Sequence, residues 1–511
     1  MDAVTLGMAQ ADAKKRYPLK RSTAKALRPI ATRGNNLGPS TYFSPNTQTS
    51  ATYRVQHALI PGLTAYGLRA IYANFAGRFL GPSTLSVAAS LEWGGKGYEL
   101  PFLGAATASL PPGGRIVSDP AGITLDPYAY QLGLMSRTYV SCGSGGQWPI
   151  GLTLNATNGE GSSIGAPGTD LTNKQQKETL PSTPASSTAG AFSPVAILGI
   201  TNADICALGI VTDSIGIGTG DSATAFAAGN TAYDNGFLVR AMNRQVPHMW
   251  MGKFGETAVQ AALSAHFRAW SLDYCTHMIC TMGRNDITAG SSVSVIANAL
   301  ITLWNLGAVR GLPVAQTTIT PNTTSTDMWA TVANQTIDPN DSVRVTLNTW
   351  LKAGAPMDLT AGTYLAVGTA GAVTIDDPRH PLDYVYDVAA TVESATNSGR
   401  WKAAGRVVTD AAITANNTTV TSVTGAFTSA DVGASVNIAG AGASGAMLST
   451  YIKSVTNSTT VVLQGTPVTA VSAAAMAVDV YAVDGVHPGR IAHAAMAIPT
   501  LPFVAPLRFA A

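Results

Sequence analysis

Around Asp204 the chain changes period. Ile205-Cys206-Ala207-Leu208-Gly209-Ile210-Val211 is apolar without a break, which suits a strand only when both of its faces are covered. Similar runs follow at 277–282 and 312–319. Between them, Val259, Ala262, Leu263, His266 and Trp270, and then Val293, Ile296, Ala297, Leu300 and Trp304, recur at helical spacing. Strand alternating with helix predicts a parallel sheet layered with helices, an α/β domain.

The remainder of the 511 residues does not follow that rhythm, and the length calls for several domains. The first forty residues read as a helix, spaced helically to about Ala31, and a linker through Gly34, Asn35, Asn36, Gly38 and Pro39. Residues 41–202 carry short strand patterns separated by turns such as Pro111-Pro112-Gly113-Gly114, as in a β-sandwich of jelly-roll type. Within them, 155–191 reads as a long exposed loop, and 192–200 as a closing strand. The α/β pattern occupies 203–406. Residues 407–479 are rich in Thr, Val, Ala and Gly with period-two alternation, predicting a small inserted β domain with a hairpin at Asn457-Ser458. Helical character returns in 480–511, with Pro488 suited to a first helical position. The tail beyond Ile498 is broken by Pro499, Pro502 and Pro506.

Charge excludes some classes of partner. Lys and Arg number 31 against 29 Asp and Glu, giving a net charge of +2, so no nucleic acid or anionic membrane is called for. Locally, Lys14, Lys15, Arg16, Lys20, Arg21, Lys25, Arg28 and Arg33 form a basic N-terminal segment, either a solvated face or an arm for an acidic partner. Cys142, Cys206, Cys275 and Cys280 show no metal-ligand spacing; Cys206 and Cys275 read as core residues. No metal or cofactor is expected. No signal peptide is expected, because Asp12 and the basic segment interrupt the first apolar stretch, and no run is long enough to span a membrane.

Open parallel sheets bind ligands beyond the carboxyl ends of their strands, and three such places carry reactive residue types. The first apolar run ends in Thr212-Asp213-Ser214-Ile215-Gly216, the second in Gly283-Arg284-Asn285-Asp286, and the last helix is preceded by Asp484-Gly485-Val486-His487. In order and spacing these resemble the sequence blocks of the SGNH (GDSL-type) hydrolases, with Phe254-Gly255-Glu256-Thr257 as the remaining glycine block. Thr212 departs from the glycine the family places before the aspartate. The resemblance covers about 204–406 and 480–511.

The resemblance implies a three-layer α/β/α, flavodoxin-like domain, flanked by the jelly-roll and interrupted by the small β domain. It also implies a serine esterase in which Ser214 is the nucleophile, His487 its base and Asp484 the residue that orients the imidazole, a triad that activates an otherwise weak hydroxyl. The oxyanion donors would be the backbone N–H groups of Ser214 and Gly255, with Gly252 the alternative glycine, and the side-chain amide of Asn285.

Each residue also has a structural explanation. Ser214 could be a turn residue, Asn285-Asp286 could cap the following helix, and Asp484 and His487 could close a turn. His57, His248, His266, His277, His380 and His493 sit in no comparable setting. Three other motifs compete. Gly220-Asp221-Ser222 copies the family tripeptide without a strand feeding it. Gly161-Ser162-Ser163-Ile164-Gly165 matches the G-x-S-x-G elbow outside a strand-turn-helix context. Gly218-Thr219-Gly220-Asp221-Ser222-Ala223 satisfies a dinucleotide fingerprint, but its glycines come late after the strand.

Residues 427–433 with Gly440-Ala441-Gly442 resemble small β modules of phage tail and tailspike proteins, and the opening residues 4–11 are similar to those of virion proteins. The implied substrate is an acetylated bacterial surface polysaccharide. The implied setting is the virion, with tail proteins as partners of the basic segment; homo-oligomerisation is left open. Two other classes compete: a catalytically silent glycan-binding or structural virion protein, and an SGNH lipase or general esterase.

Overall fold

The computed structural model describes residues 24–32, 43–60, 62–76, 79–125, 134–151, 154, 159–164, 190–221 and 235–508. Ahead of residue 203 the described segments build one eleven-stranded sheet. Its long members are Ser50–Leu59, Ala65–Ala73, Leu85–Trp93 and Leu134–Ser141. Every pairing is antiparallel. Even Glu92 is buried there, tolerated because Arg54, at 2.7 Å, and Arg137 both donate to its carboxylate.

Two expectations are corrected in this region. The helix drawn through Ala31 is instead a strand at Lys25–Thr32, paired with Ala196–Asn202 and, at its end, with Ser50–Leu59. The pairing shifts register between Pro29 and Ala31, as a proline inside a sheet requires. Residues 1–23 lie outside the described residues. Lys25 and Arg28 are engaged within the fold, Lys25 Nζ donating to Asn202 Oδ1 at 2.7 Å and Arg28 Nε to the Ile205 carbonyl at 3.1 Å. The span read as a long loop contains a strand, Gly161–Ile164, on Ser50–Leu59. Ala196–Asn202, which overlaps the strand expected at 192–200, lies between two other strands of the sheet.

Beyond residue 203 the sheet is parallel, with spatial order His248–Trp250, Leu208–Val211, His277–Cys280, Val314–Thr317, Tyr384–Tyr386. In chain order this is 2-1-3-4-5, the flavodoxin-like doubly wound arrangement. Successive side chains leave opposite faces of a strand, and the cores divide accordingly. Val211, Met249, Met278, Cys280 and Val314 pack with the helices Ala258–Leu263, Val293–Ala308 and Asp341–Lys352. Leu208, Ile210, Trp250, Ile279 and Ala315 pack with Phe237–Met242, Ala389–Val392 and Arg490–Val504. The layers are therefore helix, sheet, helix. The last helix starts at Arg490, behind Pro488, and runs through Pro499 and Pro502 rather than stopping. Burial of Met496, Thr500, Phe503 and Val504 offsets the backbone bonds those prolines remove. The antiparallel sheet packs onto the first helical layer, where Phe75 stacks on Phe267 at 5.4 Å and the Arg115 guanidinium lies 5.0 Å from the Trp270 ring centre.

Arg406–Ile413, Thr419–Thr421, Ser435–Ile438, Leu448–Asn457, Thr460–Leu463 and Val471–Val478 close into a six-stranded barrel around Val436, Ile438, Ile452, Val461 and Met476. Among the described residues, no helix is long and apolar enough to cross a membrane.

Candidate active site

Leu208–Val211 and His277–Cys280 are neighbours in the sheet, and the chain leaves them toward helices on opposite faces. A crevice opens at such a switch point. Leaving the first strand, Asp213 is the N-cap of the short helix Ser214–Ile217, its Oδ1 accepting from the Ile215 N–H at 2.9 Å. Ser214 is thereby the first helical residue, whose N–H has no intrahelical acceptor. Thr212 fits here because its hydroxyl bonds that of Thr281 at 2.6 Å and because position 216 is glycine, where a Cβ would collide with Thr212 Oγ1.

The Asp484–His487 segment is a tight turn closed by the Val483 N–H on the His487 carbonyl at 3.0 Å. Gly485 has φ = 92°, a left-handed conformation that suits glycine. Its carbonyl accepts from Trp401 Nε1 at 2.8 Å. Asp484 Oδ1 takes the N–H groups of Val486 at 3.0 Å and His487 at 2.8 Å, leaving Oδ2 for His487 Nδ1 at 2.7 Å. The other ring nitrogen, Nε2, lies 2.8 Å from Ser214 Oγ. Three side chains from segments 270 residues apart thus form one hydrogen-bonded line. Burial alone would raise the Asp484 carboxyl, but the hydrogen bond and charge of His487 and the two backbone donors outweigh it and hold the group below its ordinary range.

Asn285, at the start of the helix Arg284–Thr288, donates to Asp213 Oδ2 at 3.2 Å and to the Glu256 carbonyl at 3.0 Å. It therefore bridges the residue before Ser214 and the residue after Gly255. Donation to a third atom requires one of these bonds to be shared, and the longer one, to Asp213, is the weaker. Gly255 is exposed with φ = 67°, and its N–H finds no acceptor among the described residues. Gly252 is instead buried against Thr212, where a Cβ would collide with Thr212 Cγ2. The glycine block is anchored by Glu256, which pairs with buried Arg268 through bonds of 2.9 and 2.8 Å.

Two neighbouring residues have roles here that the sequence did not show. Asp286 caps the helix Ala258–Leu263, not the helix that follows it, taking the N–H groups of Ala258 at 2.6 Å and Val259 at 3.1 Å. His493 is fully buried; its Nδ1 accepts from the Phe237 N–H at 3.2 Å, so its Nε2 carries the hydrogen and donates to the Thr219 carbonyl at 3.1 Å. Burial lowers the His493 pKa and favours this neutral form. The Thr219 N–H returns to the Ser214 carbonyl at 3.0 Å, so the last helix holds the turn that follows the serine. In the competing tripeptide, Asp221 pairs with Arg240 through bonds of 2.9 and 2.5 Å, and Ser222 lies outside the described residues. Ser163 of the G-x-S-x-G match is within a strand. Among the described residues no group of three or more His, Cys, Asp or Glu could hold a metal ion.

Burial raises the Asp213 carboxyl to about 6, against the opposing Ile215 N–H and the charge of His487. The folded state thus holds this proton more tightly than the unfolded chain. The stability linked to it is full below about pH 4 and is lost as pH rises through about 6. Asp213→Asn cannot accept from both Ile215 and Asn285 as the carboxylate does, but it removes the titration, and is therefore expected to flatten the loss of stability between about pH 4 and pH 8. Thermal melts across this range check the slope, and a variant whose melting point falls as steeply as that of the wild type contradicts it.

No protein-family model and no curated protein matches the chain. Among solved structures it is similar to a carbohydrate acetylesterase family member from Sinorhizobium meliloti, at 11% identity over 59% of this chain and 98% of that one, TM-score 0.29. It is also similar to a member of the lipolytic G-D-S-L family from Veillonella parvula, at 17% identity over 38% and 91% of the two chains, TM-score 0.24. A GDSL-like lipase from Bacteroides thetaiotaomicron matches at 12% identity over 37% and 72%, TM-score 0.23. These structural neighbours are GDSL-type lipases and esterases, matched at low identity over part of the chain.

Proposed function

We propose that the chain is an SGNH-type serine esterase that removes O-acetyl groups from a bacterial surface polysaccharide. In this reading a jelly-roll-like domain and an inserted barrel flank the hydrolase domain. The observation that carries it is the line of hydrogen bonds from Ser214 Oγ through His487 to Asp484, at 2.8 and 2.7 Å.

His487 Nε2 takes the Ser214 proton as Oγ attacks the ester carbonyl carbon. The Ser214 and Gly255 N–H groups and the Asn285 amide receive the oxygen that becomes negative. Asp484 stabilises the imidazolium, and the buried Asp213 charge acts in the same direction. Collapse of the tetrahedral intermediate breaks the C–O bond to the sugar, and Nε2 returns the proton to the departing alkoxide. Water, deprotonated by the same nitrogen, then releases acetate and restores Ser214.

The polysaccharide substrate and a place in a virion rest on the phage-tail resemblance of residues 427–442, with the basic N-terminal segment facing tail proteins. Acetate release from acetylated capsule or acetylated xylan, compared with turnover of p-nitrophenyl esters of rising chain length, tests the substrate class. Acetyl esters are expected to be cleaved in preference. Preference for long acyl chains would favour a lipase, and tight glycan binding with no turnover of either would favour an adhesin.

A further inference from the structure

The barrel makes hydrogen bonds to both segments that carry the candidate serine and histidine. Ser435, at the start of the strand Ser435–Ile438, is 1% exposed. Its hydroxyl accepts from the Arg490 N–H at 2.9 Å, three residues past His487, and donates to the Gly220 carbonyl at 3.4 Å, six residues past Ser214. Its own carbonyl takes the Val480 N–H at 3.3 Å. The hydroxyl of Ser449, on the paired strand Leu448–Asn457, lies 2.8 Å from the Val483 carbonyl, one residue before Asp484, and 2.8 Å from Asn437 Oδ1 on the neighbouring barrel strand, sharing its one hydrogen between them.

Arg490 completes the junction. Its guanidinium donates to the Val432 carbonyl at 3.0 Å and to Asp479 at 2.9 Å. At the same place the two loops touch directly: a Cβ on Gly220 would collide with the Pro488 carbonyl oxygen. The loop after the serine and the loop bearing the histidine are therefore held at one separation by a third body that carries its own core.

We propose that the barrel is a clamp for the catalytic loops, and that Ser435 and Ser449 are positioning residues that set His487 against Ser214. This rests on the esterase reading above and goes beyond it. A substrate-binding module at the rim, tethered by its two chain connections, would bear on polymer turnover and leave small esters untouched. A clamp bears on the chemical step itself, whatever the size of the substrate. Serine–imidazole alignment is steep in distance, and a displacement of about 1 Å can cost on the order of 10²-fold in rate.

The test uses the full chain and p-nitrophenyl acetate, a substrate too small to reach across the barrel. Ser435→Ala is expected to lower kcat by about 10- to 100-fold with KM changed less than about twofold, because the lost bonds bear on alignment and not on ester binding. Ser449→Ala, losing a hydroxyl shared between Val483 and Asn437 at an exposed position, is expected to lower kcat by a smaller factor, and Ser449→Thr to restore it. That rescue and the separation of kcat from KM would not accompany a general loss of fold. If Ser435→Ala fails to fold, the Ser449 pair decides. Folded variants that keep wild-type kcat, in a protein whose Ser214 is labelled by a fluorophosphonate, would overturn the clamp alone. A wild-type protein neither labelled nor active would remove the esterase reading and the clamp with it.

Discussion

Ser214→Ala and His487→Ala are each expected to lower kcat for a soluble ester by on the order of 10⁶-fold, and the double variant by no more than either one. The two act as a unit: a hydroxyl with no base and a base with no hydroxyl both leave only what substrate binding and the oxyanion donors supply. Asp484→Asn should cost less, about 10⁴-fold or under. The Asp484 side chain is 48% exposed, so water already screens its charge, and its Oδ1 bonds to the turn backbone constrain the loop independently of the imidazole. Initial rates on p-nitrophenyl acetate for the four proteins give this ranking. Additive losses from Ser214 and His487 would contradict it.

Asn285→Ala is expected to lower kcat by about 10²- to 10³-fold, the cost of one oxyanion donor, with KM nearly unchanged, since the bond forms fully only when charge develops on oxygen. The resting geometry sharpens this expectation. Both Asn285 N–H groups are engaged, with Asp213 and with the Glu256 carbonyl, so the amide is held in place before substrate arrives. Truncation also strips a donor from the buried Asp213 carboxylate and should raise its pKa beyond about 6. The Asn285→Ala fold should then gain stability toward acid pH relative to pH 8, more steeply than the wild type. A loss expressed in KM alone would assign Asn285 to ground-state binding.

The parallel sheet was legible because a strand buried on both faces writes its burial as an unbroken apolar run, and 205–211, 277–282 and 312–319 do so. The residues now found together at the switch point were legible as short blocks at strand ends. Thr212, which stands where the blocks that the sequence resembles carry glycine, could not be judged from its own position, because the space it needs is left by Gly216 and its hydroxyl partner is Thr281.

What sequence hid was mostly long-range. Lys25–Thr32 has charges at helical spacing, but its partner strand lies 170 residues away, and pairing with Ala196–Asn202 overrides local preference. Pro29 was the available warning, since a proline there breaks an interior helical bond. His493 showed no setting comparable to that of His487, because the partners that give it meaning, Phe237 and Thr219, are 256 and 274 residues distant. The contact of Ser435 with Gly220 is of the same kind, 215 residues apart. No window on the sequence contains both ends of such a bond.

The most direct measurement is covalent. A fluorophosphonate probe reacts with a serine whose hydroxyl is activated by a neighbouring base, and peptide mass spectrometry locates the adduct. With the intact protein at neutral pH, a single adduct on Ser214 is predicted, lost in His487→Ala. An adduct on Ser222, or no adduct at all, would contradict the account.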